Sequence, residues 1–189
     1  ENPVEYQIDG ILQIQINPSI DYTFARALKN ILRHDPDSIM IGEIRDAETA
    51  KMAVESSLTG HLVLSTLHTN NASSAITRLL EIGIQSYLLN STLLAVLAQR
   101  LVKRNCTHCL EQETISDTVR RALSISDTEH FYKGKGCDSC HGTGYSGRLA
   151  AYELLEITPE IRDLIHPKVN ATEIEEAAIH GGMKPLTAH

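Results

Sequence analysis

The sequence predicts an α/β fold, a mostly parallel sheet with helices on both faces, because short apolar runs alternate along the chain with amphipathic helical patterns. Two further observations bound that fold. With 189 residues, 42% of them hydrophobic and 22% charged, the chain can bury one core and support a smaller appendage. The alternation then breaks near Cys106, where a stretch rich in Gly, Ser, Thr and charge runs to about residue 147 with few core-sized side chains.

From Leu12 to Ile16 apolar residues alternate with Gln13 and Gln15, the period of a half-buried strand. Asp21 is placed to cap a helix carrying Phe24, Leu28, Ile31 and Leu32, and Pro36 stops it. Ser38-Ile39-Met40-Ile41 reads as a buried strand. Asp46 caps a helix with Ala47, Ala50, Ala53, Val54 and Leu58 on one side, closed by Gly60. Leu62-Val63-Leu64 is a third strand, followed by helices from about Ala72 to Ile82 and from about Tyr87 to Leu101. Leu149 to Leu155 resumes as strand or helix start, and Pro159 opens a helix through Ile165. Thr172 with Glu175 makes a capping box before Ile174, Ala177, Ala178 and Ile179. The expected organisation has three parts: a sheet-and-helix core over 1–104, a cysteine-bearing subdomain over 105–147, and a helical C-terminal segment over 148–189.

Lys and Arg total 17 against 24 Asp and Glu, a net charge of -7, so a general affinity for nucleic acid or an anionic membrane is not expected. Only 4% of residues are aromatic, which leaves little to stack on bases and argues against a zinc-ribbon nucleic-acid binder. No apolar run approaches the roughly 20 residues a helical membrane span needs, and the first residues lack signal-peptide character. A cytoplasmic location is expected, with any membrane contact made through partners.

Two patterns carry chemistry. Glu43 follows the strand Ser38 to Ile41 after a small residue, which places a carboxylate at the carboxyl edge of a parallel sheet, where open α/β folds bind ligands. A solvated acid after a strand is the alternative reading. Cys106-Thr107-His108-Cys109 and Cys137-Asp138-Ser139-Cys140 are two C-x-x-C knuckles, the spacing of a closed tetrahedral zinc site with a structural role. Two disulfides or four free thiols are the other readings, and His108 and His141 are neighbouring ligand candidates. The stretch Cys140-His141-Gly142-Thr143-Gly144 is also similar to the cysteine-rich repeats of J-protein chaperones, which repeat it four times.

The fifteen residues Leu32 to Asp46 resemble the signature of the secretion ATPase superfamily, the motors of type II secretion and type IV pilus assembly. Glu1-Asn2-Pro3-Val4-Glu5-Tyr6 resembles that family's Asp box, and Thr59 to Asn70 its His box. Leu97 to Leu101 before the first knuckle, Gly147-Arg148 and Tyr152 to Leu155 are similar as well. The resemblance implies a partial RecA-like P-loop NTPase core that uses ATP with Mg2+. It implies Glu5 as the general base, Glu43 as the Walker B carboxylate, and His61 and His68 as phosphate-sensing residues. It also implies a homohexamer peripheral to the inner membrane, held there by an inner-membrane platform and cytoplasmic adaptor proteins. The tetracysteine insertion places the chain with the secretion and pilus-extension branch.

The sequence departs from the family at Asn2, where an acid is usual, and an amide brings no charge to magnesium or a neighbouring arginine. It contains no G-x-x-x-x-G-K-[ST] run, which in the family precedes the Asp box. The resemblance therefore implies a portion of a longer ATPase, with weak or no ATP binding of its own. The alternative function is a zinc-stabilised protein-interaction module without catalysis.

Overall fold

The computed structural model describes residues 1–122, 125–126 and 128–188. The chain divides into two compact units, one formed by residues 1–98 with those from 153 onward, the other by 99–152. The first unit opens with an irregular stretch and then α1 (Phe24–Ile31), β1 (Ser38–Ile41), α2 (Ala47–Leu58), β2 (Leu62–Ser65), α3 (Ala72–Ile82) and α4 (Ser86–Thr92). β3 (Ala95–Asn105) leads into the second unit, which contains β4 (Leu110–Glu113), α5 (Asp117–Ala122) and β5 (Phe131–Gly134). β6 (Tyr145–Glu156) leads back to α6 (Pro159–Leu164) and α7 (Ala171–His180).

β1 and β2 are parallel, with Ser38 opposite Leu62 and Ile41 opposite Ser65. Ile39 and Ile41 are buried against Leu28 of α1 and Ala53 of α2, whereas Met40, Leu62 and Leu64 are exposed. Among the described residues the parallel sheet is thus one pair of strands carrying helices on one face, where the sequence pattern predicts a larger sheet covered on both. β3 pairs with β6, and β4 with β5 antiparallel. The larger core joins Ala50 and Val54 of α2, Ile76 and Leu79 of α3 and Leu89 of α4 to Leu155 of β6, Ile161 of α6 and Ile174 of α7. Ile76 and Ile174 are fully buried, each contributing on the order of 1.5–3 kcal/mol of apolar transfer energy.

Local signals account for most boundaries. Asp46 Oδ1 accepts from the Thr49 amide at 2.8 Å and caps α2, as expected. Gly83 ends α3 with φ of 107°, a left-handed conformation that costs glycine little. Two caps differ from the sequence reading. Thr23, not Asp21, caps α1, because Asp21 itself is left-handed (φ 58°) and its carboxylate pairs with Arg26 at 2.9 Å. Asn170, not Thr172, caps α7, accepting from the Glu173 amide at 2.9 Å.

Two expected elements are replaced. Leu12 to Ile16 is not a strand: Leu12 is 79% exposed, and the glutamine amides bond the chain where a strand would pair. Gln13 receives the Ile8 amide and donates to the Tyr6 carbonyl, both at 2.8 Å, while Gln15 receives the Val4 amide at 3.2 Å. The expected helix from Tyr87 to Leu101 ends at Thr92, and Leu93 is extended (φ -76°, ψ 126°). Leu, Ala and Val in this stretch suit a helix or a strand, and the sequence-distant β6 supplies the pairing that decides for strand.

Candidate functional site

β1 and β2 end side by side, and the chain beyond each turns out of the sheet. The Ile44 amide donates to the Thr66 carbonyl at 3.0 Å and the Thr66 hydroxyl to the Gly42 carbonyl at 2.7 Å, tying the two exits together. This places Glu43 and His68 at the same carboxyl edge, with His68 Nε2 3.1 Å from Glu43 Oε2. Glu43 Oε1 is ion-paired with Arg45. The Glu43 side chain is 14% exposed and that of His68 84%, so the carboxylate is set into the edge and the imidazole stands in solvent.

The Arg45 guanidinium beside Glu43 holds its carboxyl below the ordinary value of 4.5, against the opposing effect of burial and with help from His68. A depressed carboxyl stabilises the fold above its ordinary value and loses that contribution as pH falls through the lowered one. Arg45→Gln is therefore expected to move the Glu43 titration upward, toward 4.5 or above it, as read by carboxyl carbon NMR. An unchanged midpoint would show that Arg45 does not set the charge of Glu43.

The other predicted residues of this region lie apart or in the open. His61 precedes β2, and its Nδ1 lies 3.0 Å from the Ser56 carbonyl and 3.1 Å from the Thr59 hydroxyl at the end of α2. A strand of four residues, at roughly 3.3 Å each, stands between it and the Glu43 edge. The structure joins His68 to Glu43 and leaves His61 at the opposite end of the strand. Glu5 is exposed in the irregular segment whose first residue approaches the sheet: Ile16 donates to the Glu1 carbonyl at 3.0 Å, and Glu1 packs beside Gly42.

In the second unit Cys106, Cys109, Cys137 and Cys140 converge, all four sulfurs lying within 4.8 Å of one another. Sγ separations are 4.0 Å for Cys106 and Cys137, 3.9 Å for Cys109 and Cys140, and 3.8 Å for Cys137 and Cys140. Zinc bound to sulfur at about 2.3 Å demands tetrahedron edges of about 3.8 Å, while a disulfide needs about 2.0 Å. The thiols are free, and the spacing fits the ion. Backbone amides point inward, Gly136 to Cys109 at 3.3 Å and both Cys137 and Gly144 to Cys140 at 3.2 Å. The Cys137 amide, helped by that of Gly144, pulls the Cys140 thiol down to about 6, a thiolate ready for a cation. Burial pushes Cys109 up to about 12, a direction that a bound cation reverses. Gly134 and Gly144 flank the second knuckle and let the two ends of its loop meet: a Cβ on Gly134 would fall 1.9 Å from the Gly144 carbonyl oxygen.

Residues 1–187 match the family model described as type II/IV secretion system protein. The chain belongs to that family. Among curated members of the type II/IV secretion family, it is 54% identical to the type IV pilus assembly ATPase PilB of Thermus thermophilus over 98% of its own length and 21% of that protein. It is 52% identical to the type II secretion system protein HxcR of Pseudomonas aeruginosa, over 98% of its length and 36% of the relative's. The chain thus spans well under half of these relatives. The crystal structure of the pilus retraction motor PilT with bound ADP matches with a TM-score of 0.62 and 28% identity, over 96% of this chain and 43% of that one. The α/β fold of the type II/IV secretion family is therefore shared with that motor.

Two residues received no role from the sequence. Arg45 sits two positions from Glu43, and a basic residue so near a strand-edge acid is the signal that identifies it. Glu153, inside the Tyr152 to Leu155 stretch, is 2% exposed. It reads as an ordinary alternating strand residue, so only the structure identifies it.

Proposed function

We propose that this chain forms part of the ATP-hydrolysing motor subunit that powers type II secretion or type IV pilus assembly. The observation that carries this is the Glu43, Arg45 and His68 cluster at the joined carboxyl ends of two parallel strands, the edge where α/β folds place ligands. In a longer polypeptide supplying a P-loop, ATP with Mg2+ would lie against this edge. Glu43 then orders the magnesium-bound nucleotide, His68 meets the terminal phosphate, and Glu5 orients or deprotonates the attacking water. The nearly buried, ionised Glu43 supplies a fixed negative charge without waiting for a proton to leave.

In this reading residues 1–104 are a partial RecA-like core, 105–147 a tetracysteine zinc subdomain and 148–189 a C-terminal helical segment. The four thiolates hold structural Zn2+, with no position left open for a substrate. The subunit works as a homohexamer, peripheral to the inner membrane through platform and adaptor proteins. Among the described residues no helix is long and apolar enough to cross a membrane. The second reading, an interaction module stabilised by zinc, draws its support from the separate compactness of 99–152.

Magnesium-dependent ATP hydrolysis by the longer polypeptide tests the reading, and the two histidines make the test specific. His68→Ala is expected to lower turnover by about tenfold or more, as removing a charge-stabilising donor does. His61→Ala is expected to leave turnover near the parent rate, because its bonds are to the end of α2. Equal losses on both changes would overturn the assignment drawn from the strand edge.

A further inference from the structure

We propose that Glu153 is a positioning residue for the loop that presents His68, an inference that rests on the reading of Glu43 and His68 as a nucleotide-facing pair. A carboxylate this deeply buried is uncommon without a cationic partner, and Glu153 has backbone partners instead. Its Oε1 accepts from the Ala72 amide at 2.7 Å and its Oε2 from the Leu186 amide at 2.9 Å. Ala72 is the first residue of α3, whose leading amides have no helical acceptor, and a carboxylate there also meets the positive end of the helix dipole.

The loop carrying His68 runs over 66–71, directly before Ala72. At its start, Thr66 is fastened to the β1 exit through Ile44 and Gly42, at 3.0 and 2.7 Å. Where it ends, Glu153 holds Ala72, and Asn71 Nδ2 donates to Glu175 of α7 at 3.3 Å. Two carboxylates from the C-terminal part of the chain therefore anchor the exit of a six-residue loop whose histidine is 84% exposed. Within the loop Leu67 packs against the core and His68 meets Glu43 at 3.1 Å, and at the exit Glu153 is the buried one of the two carboxylate anchors. Through Leu186 the same carboxylate links that loop to the turn over Leu186–Ala188.

The test is residue-resolved amide exchange and histidine ring NMR on the intact chain. Glu153→Gln keeps the shape but turns an NH2 toward one of two N–H donors. Exchange at whichever of Ala72 and Leu186 meets the NH2 is expected to rise about ten- to hundredfold, the loss of a buried charge-assisted bond. The positioning role further requires that the Ile44 amide, at the far end of the loop, exchange faster and that the His68 ring resonance shift. Acceleration confined to Ala72 and Leu186 would overturn the proposal by making Glu153 a local anchor. Should Glu153→Gln fail to fold, Ala72→Pro removes the donor itself at the first position of α3, where proline is tolerated, and an unmoved Ile44 and His68 in that variant overturns it equally. Neither measurement involves nucleotide. Failure of the nucleotide reading would appear separately, as parent-rate hydrolysis by Glu43→Gln in the longer polypeptide.

Discussion

Freshly purified, reduced protein is expected to hold about one zinc ion per chain, and a strong chelator is expected to release it together with the fold of residues 99–152. That unit has almost no apolar core of its own. Cys106, Cys140 and Ala151 are its buried hydrophobic residues among those described, while Leu101, Val102, Leu110, Tyr132, Tyr145 and Leu149 are all exposed. Structural zinc contributes an apparent ~10–16 kcal/mol in finger peptides, far more than the small β4 and β5 pair can supply. Cys137→Ser should therefore abolish tight zinc binding and amide protection in β4 and β5. The other unit, with its buried Ile76, Leu155, Ile161 and Ile174, should keep its protection. Elemental analysis showing no metal in reduced protein would defeat the zinc assignment. Collapse of both units on chelation would show instead that they share one folding transition.

The cysteine cluster was legible from spacing alone, since two C-x-x-C knuckles constrain each other's geometry more than any single motif does. β1 and β2 were legible as short apolar runs, and α2 because cap, apolar period and stop signal agree there. The stretch after Thr92 was not: Leu93 to Ala98 satisfies either period, and its partner in β6 lies some fifty residues away in sequence. Leu12 to Ile16 misled for the opposite reason, a strand pattern that finds side-chain amides instead of a neighbouring strand. At the candidate site the seven-residue spacing of His61 and His68 left their relation open. The parallel register settles it, placing one before β2 and the other after it.

Hydrolysis by the longer polypeptide is expected to fall about 10²- to 10⁴-fold in Glu5→Gln, the usual contribution of a positioned general base, while ATP binding and ring assembly persist. It is measured there because the present sequence holds no P-loop motif. Glu43→Gln should cost a similar factor by a different route, since the amide keeps the shape but removes the charge that Arg45 and His68 hold in place. If both carboxylates serve one transition state as proposed, the double variant should lose much less than the product of the single losses. Asn2→Asp supplies the control: a carboxylate restored three residues before Glu5 should preserve or raise turnover if the uncharged residue is a tolerated departure. Glu5 is exposed here, which suits a base completed only when nucleotide and the rest of the polypeptide close over it. If Glu5→Gln turns over ATP at the parent rate, Glu5 is not the base, and the water must be activated by Glu43 or by a residue outside this sequence.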